Sequence, residues 1–201
     1  MITRRVLLTA LATMPLFRMP AKAEIPVEPW AQKLIDAARA QIGVTLHYDP
    51  SYTRLKFPNG DVPREKGVCT DVVVRAYRDA LGFDLQSALN ADMKRNFSAY
   101  PKIWGLTRAD SNIDHRRVPN LRVFLKRKGA ELAKSMDGAD YLPGDLVTQN
   151  LPGNLPHIAI ISDRLNTAGT TPLVIHNIGG GAQIEDTLFA FEISGHYRFE
   201  V

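Results

Sequence analysis

The segment PGDLVTQNLPGNLPHIAIISD, residues 143–163, contains two short runs rich in β-branched residues, GDLVTQ and HIAIISD. Pro, Gly and Asn residues separate the two runs, which is typical of strands joined by a turn. Two further runs of this kind, PLVIHNI and HYRFEV, follow towards the C-terminus. The C-terminal third of the chain therefore predicts an antiparallel β-sheet.

Helical patterns occupy the chain before this sheet. Apolar residues recur every four positions from Trp30 to Ile42, which predicts an amphipathic helix. After a polar loop, a second helix is expected from Cys69 to Gly82, a third over Leu85–Asn96 and a fourth opening at Pro119. Helices first and strands later predict an α+β fold in which N-terminal helices pack on a C-terminal antiparallel sheet.

The first 23 residues have the pattern of an export signal. Arg4 and Arg5 precede a mostly apolar run, Val6–Phe17, and a small-x-small cleavage pattern ends at Ala23. The stretch TRRVLL is also similar to a twin-arginine signal, so Sec and twin-arginine export both stay open. The apolar run is shorter than the roughly 20 residues that span a bilayer. We therefore expect an exported, periplasmic bacterial protein whose mature chain, 24–201, is a single domain without a transmembrane segment.

The charge of the chain depends on that signal. The signal contains four of the 25 basic residues and none of the 21 acidic residues, so the mature chain has 21 of each. A basic protein would suggest nucleic acid or anionic lipid as a partner, but here the excess charge is removed with the signal. We therefore predict no nucleic-acid partner.

Cys69 is the only cysteine of the chain. Structural cysteines of exported proteins usually form pairs, so a lone thiol is either buried and inert or used in chemistry. At the first turn of a helix, the helix dipole is expected to lower the thiol pKa and to favour the thiolate. A cysteine hydrolase also needs an imidazole and a third polar group that orients it.

Two histidines could supply those groups. His157 opens the strand HIAIIS, and His176 lies in the next predicted strand, LVIHNIG. If these strands pair, one ring can orient the other, and the neighbouring Asn177 competes for the same role from the opposite face. A cysteine on a helix, then a histidine on a strand, then a polar residue on the following strand is the order found in papain-like hydrolases.

Several motifs resemble known families. The segments GVCTDVVVRAY, NFSAYPKIWGL, NIDHRRVPNL and VIHNIGGGAQIEDTLF resemble the exported bacterial family known as domain of unknown function 1287. More distantly, PGDLV…HIAII…VIHN is similar to the GD…HVGIY…IHA pattern of NlpC/p60 cell-wall cysteine peptidases. That resemblance implies a papain-like core with Cys69 as nucleophile, His157 as base and His176 as third catalytic residue, without a cofactor. It also implies that Tyr48 helps to bind the substrate or the oxyanion.

The chain departs from the NlpC/p60 pattern at several places, among them the glycine pair that follows the tyrosine in that family and is missing here. It has Cys-Thr-Asp where that family has Cys-Ser-Gly, so Asp71 indicates a different substrate. The segment NIDHRRVPN has no counterpart there, and we expect Asp114, His115 and Arg116 to build a substrate cleft. Arg116 or Arg117 could hold a substrate carboxylate, with local Asp–Arg pairing as the alternative. The stretch GGGAQIED lacks the residues of a phosphate loop and is interpreted as a turn after a strand.

These features together predict a cysteine hydrolase that cleaves an amide bond in peptidoglycan stem peptides or a related envelope substrate. Acyl transfer to an amine or alcohol is an alternative outcome of the same chemistry. A second alternative is a metal-dependent envelope hydrolase with His157, His176 and either His196 or Asp145 as zinc ligands. A third is a non-catalytic envelope-binding module on a degenerate hydrolase fold.

Overall fold

Four helices form the first part of the fold in the computed structural model, which describes residues 26–201; the proposed signal lies outside these residues. The helices are α1 (Pro29–Arg39), α2 (Cys69–Leu81), α3 (Leu85–Asn96) and α4 (Val118–Arg127). Between α3 and α4 the chain is irregular, apart from two 3₁₀ turns at Phe97–Ala99 and Asp114–Arg116.

The helix boundaries have local causes. The predicted bounds of α3 are confirmed, and the Asp84 side chain caps it by accepting a hydrogen bond from the Gln86 N–H. Gly82 ends α2 in the left-handed conformation, with φ of 65°, which glycine adopts without strain. Helix α1 ends at Arg39, earlier than the predicted Ile42.

The strands form two sheets. A short parallel pair joins β1 (His47–Tyr48) to β2 (Lys66–Gly67). Six strands form an antiparallel sheet in the order β3-β8-β4-β5-β6-β7. Its members are β3 (Glu131–Leu132), β4 (Leu146–Leu151), β5 (Leu155–Leu165), β6 (Pro172–Asn177), β7 (Ala182–Glu185) and β8 (Glu192–Tyr197). The predicted α+β class and antiparallel sheet are confirmed.

The six-stranded sheet is buried on both faces. Ile158, Ile160 and Ile175 pack against the helices in the larger core cluster. The alternate residues Ile161 and Val174 belong to a second cluster on the other face. Since side chains alternate along a strand, β5 and β6 contribute to both clusters. Burying each of these aliphatic side chains contributes about 1.5–3 kcal/mol relative to its exposure.

Two local predictions differ from the structure. The stretch GGGAQIED is not only a turn, because its second half, Ala182–Glu185, is strand β7 paired with β6. Strand β8 begins at Glu192, before the predicted run HYRFEV, and ends at Tyr197. Across residues 26–201, no helix is both long and apolar enough to cross a membrane.

Candidate active site

Cys69 is the first residue of α2 and is buried. The preceding residue, Val68, is extended, and its N–H donates to Asp71 Oδ2 at 2.7 Å. A carboxylate at this position satisfies a backbone N–H that would otherwise lack an acceptor at the helix start. The predicted helix start is therefore confirmed, and the hydrogen bond holds the thiol-bearing turn in place.

The protonation state of Cys69 differs from the expectation. Burial raises the pKa of the thiol to about 11; the backbone N–H of Ile158 opposes this shift and the Asp71 carboxylate adds to it. The prediction that the helix start would lower this pKa is wrong, because the loss of solvation outweighs the favourable dipole. In the free protein the side chain is a neutral thiol.

A continuous hydrogen-bonded relay joins His157, His176 and Glu185. His157 Nε2 lies 2.9 Å from His176 Nδ1, and His176 Nε2 lies 2.7 Å from Glu185 Oε2. The three residues come from the adjacent strands β5, β6 and β7. The structure thus brings together the two histidines that the sequence analysis paired.

Glu185 determines which nitrogens of this relay carry protons. An ionised carboxylate only accepts hydrogen bonds, so His176 must donate from Nε2. Neutral His176 then accepts at Nδ1, and His157 must donate to it from Nε2. Burial lowers the pKa of His157 to about 3, and the neighbouring His176 lowers it further. His157 is therefore neutral, with a lone pair on Nδ1.

The same burial acts on His176. It lowers the pKa of this ring, while the hydrogen bond and the charge of Glu185 act in the opposite direction. His176 has no exposed surface, whereas the Glu185 side chain is 37% exposed. The relay therefore runs from a buried imidazole pair to a carboxylate that water still reaches.

A cleft of about 420 Å³ is lined by both Cys69 and His157. The Cys69 thiol lies against the backbone N–H of Ile158, the residue that follows His157. Within the described residues the thiol and the imidazole share no direct hydrogen bond, and such contacts often tighten only when substrate binds. Nε2 of His157 is already hydrogen-bonded to His176. The ring nitrogen that can accept a proton from the thiol is therefore Nδ1.

Tyr48 lies on the same cleft. The β1–β2 pair places it opposite Gly67, two residues before Cys69. Burial raises the pKa of the Tyr48 hydroxyl to about 12, with further increases from the charges of Cys69 and Asp71 and from a hydrogen bond with Cys69. The hydroxyl therefore stays protonated beside the thiol and can donate a hydrogen bond.

Asp71 and Arg116 form a buried ion pair. Arg116 Nη2 lies 3.0 Å from Asp71 Oδ2, and Arg116 Nε donates to Asp71 Oδ1 at 3.0 Å. The guanidinium also donates to the carbonyls of Ser51 at 3.0 Å and Asp49 at 2.8 Å. Arg116 borders the cleft, but its donors are engaged in joining α2 to the loop after Tyr48. A direct role of Asp71 or Arg116 in substrate binding stays a prediction.

The other predicted binding residues lie outside the lining of the cleft. Asn177 Nδ2 donates to the Gly67 carbonyl at 3.1 Å, so it ties β6 to the approach to Cys69 rather than contacting His157. Asp114 pairs with Arg117 at 3.2 Å. His115 is buried, which lowers its pKa to about 4, with a further decrease from nearby arginines.

The residues proposed as alternative zinc ligands are not gathered in one place. His196 Nε2 lies 2.8 Å from Asp145 Oδ2, and Arg198 also binds this carboxylate. Strand β8, which carries His196, is three positions from β6, about 14 Å from His176 at the usual strand spacing. Among residues 26–201, no three His, Cys, Asp or Glu side chains are grouped to hold a metal ion.

Glu185 is not among the site residues predicted from the sequence, because GGGAQIED has the pattern of a turn. The register of β7 on β6 sets Gln183 opposite His176 and Glu185 opposite Val174, which brings the carboxylate to the histidine ring. A signal was present in the alternation of apolar Ala182 and Ile184 with polar neighbours after the glycines. Four residues are a short run on which to base a strand.

Comparison with known proteins identifies relatives of this chain. The family described as Domain of unknown function (DUF1287) matches residues 35–199. The chain is similar to a protein of Escherichia coli (strain K12) that is named uncharacterized protein YijF. The two are 52% identical over 168 residues, which cover 84% of this chain and 81% of that protein.

Proposed function

The chain belongs to the DUF1287 family, and we propose that it is an exported, papain-like cysteine hydrolase related to the NlpC/p60 peptidases. Its proposed reaction is cleavage of an amide bond in peptidoglycan stem peptides or a related substrate of the cell envelope. Cys69 is the nucleophile and His157 is the base. The observation that supports this proposal most is the relay from Glu185 through His176, which leaves a lone pair on His157 in a cleft shared with the thiol.

The attack begins from a neutral pair. The Cys69 proton moves to His157 Nδ1 while Sγ forms a bond to the substrate carbonyl carbon. Positive charge then develops on the His157 ring, whose Nε2–H donates to His176, and the Glu185 carboxylate at the end of the relay offsets this charge. The relay therefore stabilises the charged imidazole at the moment when it forms.

The carbonyl oxygen of the substrate becomes an oxyanion in this step. The backbone N–H of Cys69 lies in the first turn of α2, where an N–H has no acceptor within the helix. The Tyr48 hydroxyl, whose pKa is raised to about 12, provides a second donor. Two such donors aimed at the developing charge stabilise the tetrahedral intermediate.

The intermediate collapses by breaking the carbon–nitrogen bond, and the leaving amine takes the proton from His157 Nδ1. Water then attacks the Cys69 thioester, gives a proton to the same nitrogen and releases the acid. The thiol regains that proton, so both residues return to their neutral state. An amine or alcohol acceptor in place of water would give acyl transfer through the same steps.

Purified peptidoglycan and lipid-linked precursors provide a direct test. Wild-type protein and Cys69→Ala protein are incubated with them, and the products are identified by mass spectrometry. We expect new amide-cleavage fragments from the wild type, with and without EDTA, and a loss of at least about 10³-fold in the variant, because the nucleophile is removed.

The controls separate the alternatives. Matching thermal unfolding of both proteins would show that the variant is folded. Identical fragments from both proteins, or fragments that disappear on chelation, would overturn the thiol mechanism in favour of the metal-dependent alternative. Absence of fragments from the wild type as well would leave the binding module as the better explanation.

A further inference from the structure

The cleft beside Cys69 has two chemically different walls. One wall comes from the irregular segment before α4 and from the start of this helix, and it includes Trp104 and Arg117. The other comes from the ends of β4, β5 and β6, and it includes Leu151, Leu155 and Ile178. A substrate that fills this cleft meets a cationic surface on one side and an aliphatic surface on the other.

Arg117 is the cleft guanidinium with donors to spare. Arg116 uses all three of its guanidinium nitrogens on Asp71 and two backbone carbonyls. Arg117 makes one side-chain hydrogen bond among the described residues, from Nη1 to Asp114 Oδ1 at 3.2 Å. Its Nε and Nη2 are consequently left for a ligand.

The Arg117 side chain is also held in a defined orientation. The guanidinium carbon lies 4.0 Å from the ring centroid of Trp104, in a cation–π contact. Stacking covers the face of the guanidinium and leaves its edge, where the N–H groups form a planar fork suited to a carboxylate. The side chain is 17% exposed, so this interaction would be only partly screened by water.

The charged side chains that line the cleft are cationic, and their aspartate partners lie behind the lining. Within the described part of the chain, no Asp or Glu side chain borders the cleft, while two arginines do. Apart from His157, the opposite wall offers apolar side chains, and Leu155 at its rim is 60% exposed. Covering such a side chain with an apolar ligand is favourable because it removes hydrocarbon surface from water.

We propose that the substrate is bipartite: a carboxylate binds to the edge of Arg117, and an apolar segment lies along Leu151 and Leu155. This inference rests on the proposed function, because it describes the two parts of the substrate whose amide bond Cys69 attacks. Arg117, rather than Arg116, is thus the residue that recognises the carboxylate, and Trp104 orients it. The two-sided lining selects amides that combine a free acid with an aliphatic group.

Binding to Cys69→Ala protein tests this without any chemical step. The probes are N-hexanoylglycine, its amide N-hexanoylglycinamide, which lacks the carboxylate, and N-acetylglycine, which lacks the aliphatic chain. We expect N-hexanoylglycine to bind at least tenfold more tightly than either of the others in NMR titrations, with affinity that falls as salt increases. Equal affinities, or no binding of any of the three, would overturn the proposal even if Cys69-dependent cleavage is found.

Variants then show which wall of the cleft binds the carboxylate and which binds the aliphatic chain. Arg117→Gln should remove the preference for the acid over the amide, whereas Arg95→Gln, at an exposed position outside the cleft lining, should retain it. Asp114→Asn, which removes the negative charge of the Arg117 partner but keeps an oxygen acceptor, should preserve or tighten acid binding. Leu155→Asn should lose only the benefit of the hexanoyl chain. If Arg117→Gln and Asp114→Asn weaken the binding of acid and amide alike, Arg117 supports the fold and does not recognise the carboxylate.

Discussion

Glu185 decides what His157 can do as a base. An imidazole with its proton on Nδ1 could not accept one from Cys69, and the ring by itself has no strong preference between its two tautomers. The contact from Glu185 to His176 and the contact from His176 to His157 fix the proton on Nε2 of both rings. A residue outside the lining of the cleft thus sets the protonation state of the proposed catalytic base.

Substitution of Glu185 by leucine should therefore change the tautomer of His157. We expect ¹⁵N NMR of the wild type to show His157 unprotonated at Nδ1, and the variant to show a mixture of both tautomers. Cleavage should fall at least about tenfold, a part of the 10²- to 10⁴-fold that general acid–base catalysis supplies.

Gln183 provides the matched control, since it lies on the same strand, directly across from His176 in the register, and its Nε2 donates to the Gly180 carbonyl rather than to either ring. Gln183→Leu should retain the wild-type ¹⁵N pattern and rate. An unchanged His157 tautomer in Glu185→Leu would contradict the relay.

At the scale of elements, the Asp71–Arg116 pair joins three parts of the chain. Asp71 belongs to α2, Arg116 to the 3₁₀ turn before α4, and the carbonyls of Asp49 and Ser51 to the loop after β1. The side chains of the pair are only 5% and 2% exposed. Asp71 therefore pairs with an arginine of the same chain where the NlpC/p60 pattern has glycine, and the pair fixes the loop that follows Tyr48 relative to Cys69.

Removing one partner of this pair should destabilise the folded protein. Asp71→Asn or Arg116→Gln leaves a buried charge without its partner, and we expect each to lower the free energy of unfolding by about 3–5 kcal/mol. The double variant should lose clearly less than the sum of the two, as measured by urea denaturation.

Asp36→Asn is the control for this cycle. It removes the partner of Arg39 in an ion pair whose carboxylate side chain is 57% exposed, and a change within about 1 kcal/mol is expected. Strictly additive losses in the Asp71 and Arg116 variants would show that the pair does not act as a unit.

The stability of the whole molecule is linked to pH by its buried histidines. Burial lowers the pKa of His115 to about 4 and that of His157 to about 3, and it lowers the pKa of His176 as well. In the unfolded chain, histidines titrate near a pKa of about 6.5. Since the unfolded chain then binds more protons, this stability is complete above about pH 6.5 and is lost as the pH falls towards the folded-state values.

We expect the free energy of unfolding to decrease between about pH 6.5 and pH 4, by up to ~1.4 kcal/mol per pH unit for each such histidine. His115→Gln should reduce this slope by about one histidine's share, in urea denaturation at a series of pH values. The same substitution at the exposed His47 should leave the slope as it is. Equal slopes for His115→Gln and wild type would exclude His115 as one of the linked groups.

Much of the architecture followed from local pattern. The bounds of α3, the start of α2 at Cys69 and its end at Gly82 were predictable, because caps and left-handed glycines act over a few residues. The runs around His157 and His176 predicted two strands, and pairing of consecutive strands predicted their contact. Strand β7 was not predictable with the same ease, because four residues after a glycine turn are too few for a clear alternation.

The sequence by itself determined the fold class and the three catalytic candidates, Cys69, His157 and His176. Residue types and the order of the strands follow directly from the sequence. Only the tertiary structure decided their protonation states and their partners. Glu185 reaches His176 through the register of two strands, and Arg116 meets Asp71 from 45 residues away. The sign of the Cys69 pKa shift depends on burial by the whole fold, which outweighs the helix dipole that the local sequence predicts.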